Sequence, residues 1–299
     1  MATLFSNTLL PDNSTDVHFQ AWAMFFENAL VTTGGWQISS DTGQTPPATL
    51  VHPTTANTKK GFRVYRLSDG GPIIYMRIDY GSSNAANTPG IWITIGSSTD
   101  GAGNIVAPFW NGGISSTPNV SAGSNVASGA FNSYASSALN RATIAMFVST
   151  NPAYHMVFAI ERTQNPSGND TTDGLLLVYR DGQFSSNGMA QARYIANAGG
   201  TQPTAEQGLN YILTTKNPSE TFGGDIGVGV ISHFKGIAMQ PGKNFLITGS
   251  SDVSAESTIT MTLYNGLRTY VQLNALPPYK ALSGSNVLDG NARFLMRYD

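Results

Sequence analysis

The chain has 299 residues, enough to bury a full core in one large domain or two smaller ones. Hydrophobic residues make up 40 % of it and charged residues only 11 %, where ordinary soluble domains carry about 25 % charged. Aromatics at 10 % exclude a disordered chain, the lack of cysteine excludes a disulfide framework and cysteine-based zinc sites, and a net charge of −2 with scattered basic residues does not point to nucleic acid.

Polarity comes instead from Ser, Thr, Asn and Gly, which fill turns and the solvent faces of strands. A surface with few charges lies against neighbours at small desolvation cost, which fits a subunit of an assembly. The first ten residues lack a basic start, a long apolar stretch and a small-residue cleavage site, so no signal peptide is expected. No apolar run approaches the ~20 residues that cross a bilayer, so no membrane partner is expected.

One helix is predicted first. Ser14, Thr15 and Asp16 offer N-cap oxygens, and Phe19, Trp22, Phe25, Phe26, Ala29 and Leu30 follow at helical spacing. Gly34-Gly35 supplies the stop, and the aromatic face predicts packing on a sheet. Strands follow at 36–39, 62–67, 73–80 and 91–95, each alternating as half-buried antiparallel strands do. Lys59-Lys60, the densest basic pair, falls in a polar loop on this reading, and Asp69-Gly70-Gly71 and residues 81–90 supply turns.

Residues 111–137 are almost entirely Gly, Ser, Ala, Asn and Thr and predict a long loop, linker or arm, one that orders only against a neighbour. Strands resume at 143–148, 156–160, 175–180 and 192–195, and 204–213 reads as a short helix. The last third predicts strands at 226–231, 245–247, 258–264, 269–273 and 293–298. Asn265-Gly266, between Tyr264 and Leu267, is a two-residue hairpin signal. The organisation expected is a helix-plus-antiparallel-sheet region over 1–110, a Gly/Ser/Ala/Asn-rich loop or arm over 111–142 and a C-terminal β region over 143–299. The fold class is mainly β, with antiparallel, sandwich-like sheets and one N-terminal amphipathic helix packed on a sheet.

Several stretches together resemble a family of bacteriophage virion proteins described as structural or tail-associated. They are the aromatic helix of 19–30, Gly35-Trp36, Ser40-Asp41-Thr42-Gly43-Gln44, 61–67 (GFRVYRL), 74–81 ending Asp79-Tyr80-Gly81, 89–96 (PGIWITIG), 99–104 (TDGAGN), 260–273 (TMTLYNGLRTYVQL) and the closing 294–298. The resemblance covers most of the first 105 residues and the last 40, and it is a pattern of strands and turns. It implies a tail, neck, baseplate or capsid-surface subunit with no active site.

Asp41-Thr42-Gly43 matches the aspartic-protease tripeptide, but a single-chain enzyme needs a second copy and a dimeric one expects apolar residues where Ser39-Ser40 stand. The histidines His18, His52, His155 and His233 are widely separated, with no H-E-x-x-H. Gly227-Val228-Gly229 lacks the third glycine and the flanking elements of a dinucleotide loop. Asp100–Asn104 and 169–174 are Asp/Asn/Gly loops able to offer oxygens to calcium, yet neither has EF-hand spacing, and turns are the simpler reading.

No catalytic, cofactor-binding or metal residues are therefore assigned, and no cofactor and no enzymatic activity are expected. The expected partners are copies of the chain and other virion proteins, in a virion, with no nucleic acid and no membrane. A host-surface glycan is the other candidate partner, with Trp92, Trp110 and Tyr134 as exposed aromatics for sugar stacking. An envelope-polysaccharide hydrolase is the third reading; glycosidase carboxylates meet only in the fold and leave no spacing to read.

Overall fold

A computed structural model describes residues 2–8, 15–32, 36–56, 58–71, 73–82, 89–106, 108–110, 120–121, 131–138, 141–148, 151–164, 170–180, 191–196, 228–235, 238–248, 257–263, 266–273 and 293–299. In chain order, β1 (Ala2–Thr8) is followed by α1 (Asp16–Val31), β2 (Trp36–Ile38) and a 3-10 turn at Pro47–Thr49. Then come β3 (Lys59–Leu67), β4 (Ile74–Ser82), β5 (Pro89–Gly96), β6 (Pro108–Trp110), β7 (Val120–Ser121), β8 (Phe131–Ala138) and β9 (Arg141–Val148). The remainder is β10 (Asn151–Gln164), β11 (Asp170–Arg180), β12 (Gln191–Ala196), β13 (Val228–Lys235), β14 (Ala238–Thr248), β15 (Thr258–Leu263), β16 (Gly266–Leu273) and β17 (Arg293–Arg297).

These strands form three antiparallel sheets. The orders are β1-β8-β9-β10-β11-β12, β2-β3-β4-β5-β6 with β7 beside β5, and β13-β14-β17-β16-β15. The mainly β, antiparallel class with one N-terminal helix is therefore the observed one. The pairing crosses the expected regional boundaries, because β1 pairs with β8 over seven residues. The expected loop of 111–142 is also corrected: β8 and the start of β9 lie inside it. Its Ser/Ala/Asn composition hides a strand because small polar residues carry no apolar alternation. The helix expected at 204–213 lies outside the described residues.

The helix begins where the caps predict. Thr15 Oγ1 accepts the His18 N–H at 3.3 Å, satisfying one of the first-turn donors. It ends at Thr32, whose N–H bonds the Asn28 carbonyl at 2.9 Å and whose hydroxyl donates to the same oxygen. That is short of the Gly34-Gly35 stop, which falls outside the described residues.

The whole predicted aromatic face is buried. Trp22 is its hub, with ring centroids 5.8 Å from Phe19, 5.6 Å from Phe26 and 5.9 Å from Tyr80. Pleat alternation sends Tyr65 and Leu67 of β3, Ile74, Met76, Ile78 and Tyr80 of β4, and Ile91, Ile93 and Ile95 of β5 to one face of the middle sheet. All of them are buried in one cluster with the helix, together with Ala135, Ala142 and Ile160 of the first sheet. At roughly 1.5–3 kcal/mol per large buried apolar side chain, this cluster is the principal force fixing the helix between two sheets.

A second joint ties the first sheet to the last. The Tyr134 and Tyr298 rings meet edge to face at 5.6 Å. The Asp299 carboxylate accepts from Arg297 Nε at 2.6 Å and from the Thr269 N–H at 3.0 Å, while Ser136 and Arg141 both donate to the Asp299 carbonyl oxygen. Burial opposes charge on Asp299, but the hydrogen bonds from Arg297 and Thr269 and the charges of Arg297 and Arg141 hold it below the usual carboxylate range.

One turn differs in detail from its signal. Leu263 pairs with Gly266, whereas the Asn265-Gly266 signal would pair Tyr264 with Leu267; Tyr264 and Asn265 themselves lie outside the described residues. The partner strand is displaced by two residues from the predicted register. A two-residue shift keeps every side chain on its face, so the hydrophobic pattern does not oppose it.

Candidate functional site

The outer face of the middle sheet gathers most of the described polar chemistry. The register places Phe62, Asp79 and Trp92 in one transverse row across β3, β4 and β5, and Val64, Arg77 and Thr94 in the next. Asp79 is 4 % exposed and holds two cations, Arg77 at 2.8 Å and Lys59 at 3.1 Å. The Arg77 guanidinium lies 3.9 Å over the Phe62 ring and the Lys59 ammonium 5.5 Å over the Trp92 ring. Cation–π contact and ion pairing thus fix the same two side chains. Lys59-Lys60 is not a loop but the start of β3, and the ion pair with Asp79 explains the basic residue there.

Two loops close over this face, and they are the two that carried candidate chemistry. The Thr42 N–H donates to the Gly101 carbonyl at 2.9 Å, and the Gly103 N–H donates to Asp41 Oδ1 at 3.3 Å. Arg77 locks the second loop from below, donating to the Gly103 carbonyl at 2.9 Å and to Asn104 Oδ1 at 3.0 Å. Gly103, at φ +88°, crosses directly above Phe62, where a Cβ would come within 2.2 Å of the ring.

Gln44 seals the first loop to the sheet. Its Nε2 donates to the Ser39 and Asp41 carbonyls, both at 2.9 Å, and its Oε1 accepts the Val64 N–H at 2.9 Å. The amide thereby stands in for a strand residue at the point where β2 ends. Gln44→Ala leaves the Val64 N–H without its acceptor beneath a buried valine, and is expected to cost roughly 1–3 kcal/mol, read as a lower urea midpoint with an unchanged slope.

The electrostatics of the two aspartates bear on what they do. Burial opposes charge on Asp41, but the Ser39 and Thr99 hydroxyls and the Gly103 N–H hold its carboxyl below the usual range. Asp100 is held low by the Asn104 side chain first, then by the Asn104 and Ala102 N–H groups. Both are ionised at neutral pH, each saturated by its own donors. An aspartic dyad needs one shared proton and one raised carboxyl. The oxygens of Asp100, Gly103 and Asn104 are engaged by N–H donors and Arg77, which describes a clasp between turns.

The other candidates scatter. His52 donates from its backbone N–H at 2.8 Å to Asp16 Oδ1, and its Nδ1 lies 2.6 Å from the same oxygen, pinning the 3-10 segment to the helix start. The His18 N–H donates to the Thr15 cap of α1, His155 lies in β10 and His233 in β13. Among the described residues no group of three or more metal-ligating side chains occurs. Val228-Gly229 opens strand β13, and 170–174 opens strand β11, so neither is the loop its motif suggested. Of the three aromatics, Tyr134 is buried against Tyr298, and Trp92 is half-buried under Lys59 with its ring edge against Gly81; only the backbone of Trp110 is described, in β6. Among the described residues no helix is long and apolar enough to cross a membrane. No family model matches the chain and no curated protein matches its sequence.

Gln44, Asp79 and Arg77 belong to recognised turns and strands but carry no site motif in the sequence. The signal that could have found them is the cross-strand one. Three charged residues, Lys59, Arg77 and Asp79, lie on one strand face among aromatics, which requires pairing if that face is covered.

Proposed function

We propose that the chain is a structural subunit of a bacteriophage particle, tail-, neck- or baseplate-associated, working through contacts with copies of itself and other virion proteins. The observation that carries the reading is the clasp. Five of the stretches that bear the family resemblance, 40–44, 61–67, 74–81, 89–96 and 99–104, build the middle sheet and the loops over its outer face, while 19–30 packs on the inner face and 260–273 and 294–298 fall in another sheet. There they act as architecture: Asp41, Asp79 and Asp100 each spend their carboxylates on neighbouring turns and strands. A charge-poor composition and long antiparallel sheets suit lateral packing between subunits.

Receptor binding is the second reading, and the covering of Trp92 by Lys59 and the burial of Tyr134 weigh against it. The test is density of the purified particle at side-chain resolution, with this chain traced. Many copies in a ring at the tail, neck or baseplate are expected. A few copies at a distal tip would favour the receptor reading, and absence of the chain from the particle would sink both.

A further inference from the structure

We propose that Asp69-Gly70, in the turn between β3 and β4, is a site of spontaneous isomerisation to isoaspartate, while the clasp protects the same dipeptide at Asp100-Gly101. Two turns among the described residues carry Asp-Gly, and locally they match. Asp69 Oδ1 accepts the Gly71 N–H at 3.2 Å and Asp100 Oδ1 accepts the Ala102 N–H at 2.8 Å, the same side-chain turn. Gly70 and Gly101 stand at φ +83° and +79°, and a Cβ on either would meet nothing within 4 Å. Exposure alone ranks them the other way, since Asp100 is exposed and Asp69 half-buried.

The reaction needs only water. The Gly70 nitrogen attacks Asp69 Cγ and a C–N bond forms. The nitrogen loses its proton and the carboxylic acid its hydroxyl, which leave together as water, and a five-membered imide remains. Water then adds at either carbonyl and opens the ring. Cleavage of the N–Cγ bond restores aspartate. Cleavage at the α-carbonyl routes the main chain through Cβ, with no net change in mass. Glycine is the best attacking residue because no Cβ shields its nitrogen. The Asp-Gly peptide must swing toward the carboxyl carbon, so what decides the rate is how firmly the turn is held.

At Asp100 the turn is held from both sides. The carboxylate also accepts the Asn104 N–H at 3.0 Å and Asn104 Nδ2 at 2.7 Å. The Asp100 N–H bonds the Asn104 carbonyl at 3.1 Å, and the Gly101 carbonyl takes the Thr42 N–H at 2.9 Å and the Thr42 hydroxyl at 3.2 Å. The Asn104 side chain first, then the backbone donors, hold this carboxyl below its usual range, so the reactive acid form is scarce. Gly70, by contrast, makes no hydrogen bond among the described residues. Isomerisation adds one main-chain atom, and at a loop tip that is tolerated. The β3–β4 pairing ends at Leu67 and Ile74, outside the altered bond, so isoaspartate accumulates in folded protein.

The test is to age the folded protein in warm, mildly acidic buffer and map isoaspartate with time. The tryptic peptide 67–77 holds Asp69 as its one acidic residue, so isoaspartate in it is read directly, and fragment ions locate it at Asp100. Isoaspartate is expected to form at Asp69 about tenfold faster than at Asp100, where several hydrogen bonds must first be released. In urea, with both turns lost, the two rates should converge. Asn104→Ala, which removes one donor to the carboxylate, should raise the rate at Asp100 and leave Asp69 as it was. Equal rates in the folded protein, or a faster reaction at Asp100, would overturn the proposal. So would a gap that survives in urea, which would trace to neighbouring sequence and not to the fold.

Discussion

Gly81→Ala is expected to destabilise the middle sheet by more than about 3 kcal/mol, the upper end of overpacking costs, and to leave little folded protein at 37 °C. Gly81 has ordinary strand geometry, and its restriction is space alone. A Cβ would stand 2.0 Å from the Thr58 carbonyl oxygen and 2.8 Å from Trp92 Cζ3. The oxygen is backbone, and it also accepts the Ser82 N–H at 2.9 Å, so it cannot retreat without breaking the segment that crosses the β3–β4 pair.

Two other glycines separate the causes. Gly70→Ala, at φ +83° with nothing within 4 Å, should show the conformational cost only, about 1–2 kcal/mol. Gly103→Ala combines φ +88° with a clash on the Phe62 ring, and the ring is a side chain that can be trimmed. Gly103→Ala in a Phe62→Leu background is therefore expected to recover the steric part and retain the conformational part, whereas Phe62→Leu should do nothing for Gly81→Ala. Urea unfolding of the five proteins checks the order. A Gly81→Ala midpoint no lower than that of Gly70→Ala would show that the Thr58 segment yields.

Elements whose residues alternate in polarity were legible in the sequence. The helix face of Phe19 to Leu30 and strands β3, β4 and β5 follow directly from periods of about 3.6 and 2. Strands β1 and β8 were not, since ATLFSNT and FNSYASSA are dominated by small polar residues, and what makes them strands is each other and β9. Pairing between residues about 130 apart leaves no local trace. The clasp was half legible. Asp41-Thr42-Gly43 and Asp100–Asn104 were each read as turns, but that they close on one another is tertiary information, carried by Thr42, Gly101 and Arg77 in the folded sheet. Side-chain substitution for backbone, as at Gln44, has no periodic signature at all.

Glu27→Met is expected to cost about 3 kcal/mol, and Glu27→Met with Arg63→Met much less than the sum of the two singles. Glu27 reaches from the helix to Arg63 on β3, at 2.7 Å and 3.3 Å, with the two side chains 18 % and 14 % exposed. Removing one partner strands a largely desolvated charge, while removing both replaces the pair with apolar volume. The low end of the range applies because both groups keep some contact with water.

The same carboxylate accepts from the Tyr65 hydroxyl at 3.3 Å, which lies 3.0 Å from that of Tyr80, both fully buried. Burial, then the Tyr80 and Glu27 charges, push the Tyr65 hydroxyl well above its ordinary 10.0, and burial raises Tyr80 likewise. Below pH 10.0 both folded and unfolded chains hold these protons, and the contribution is fully present. Above it the unfolded chain releases protons that the fold retains, so stability falls as pH rises toward the folded values. Tyrosinate absorbance should accordingly show these two phenols ionising only together with unfolding. Phe replacements at both sites should flatten the alkaline loss. If the loss persisted undiminished in that double variant, the helix–sheet junction would not be what limits the fold at high pH.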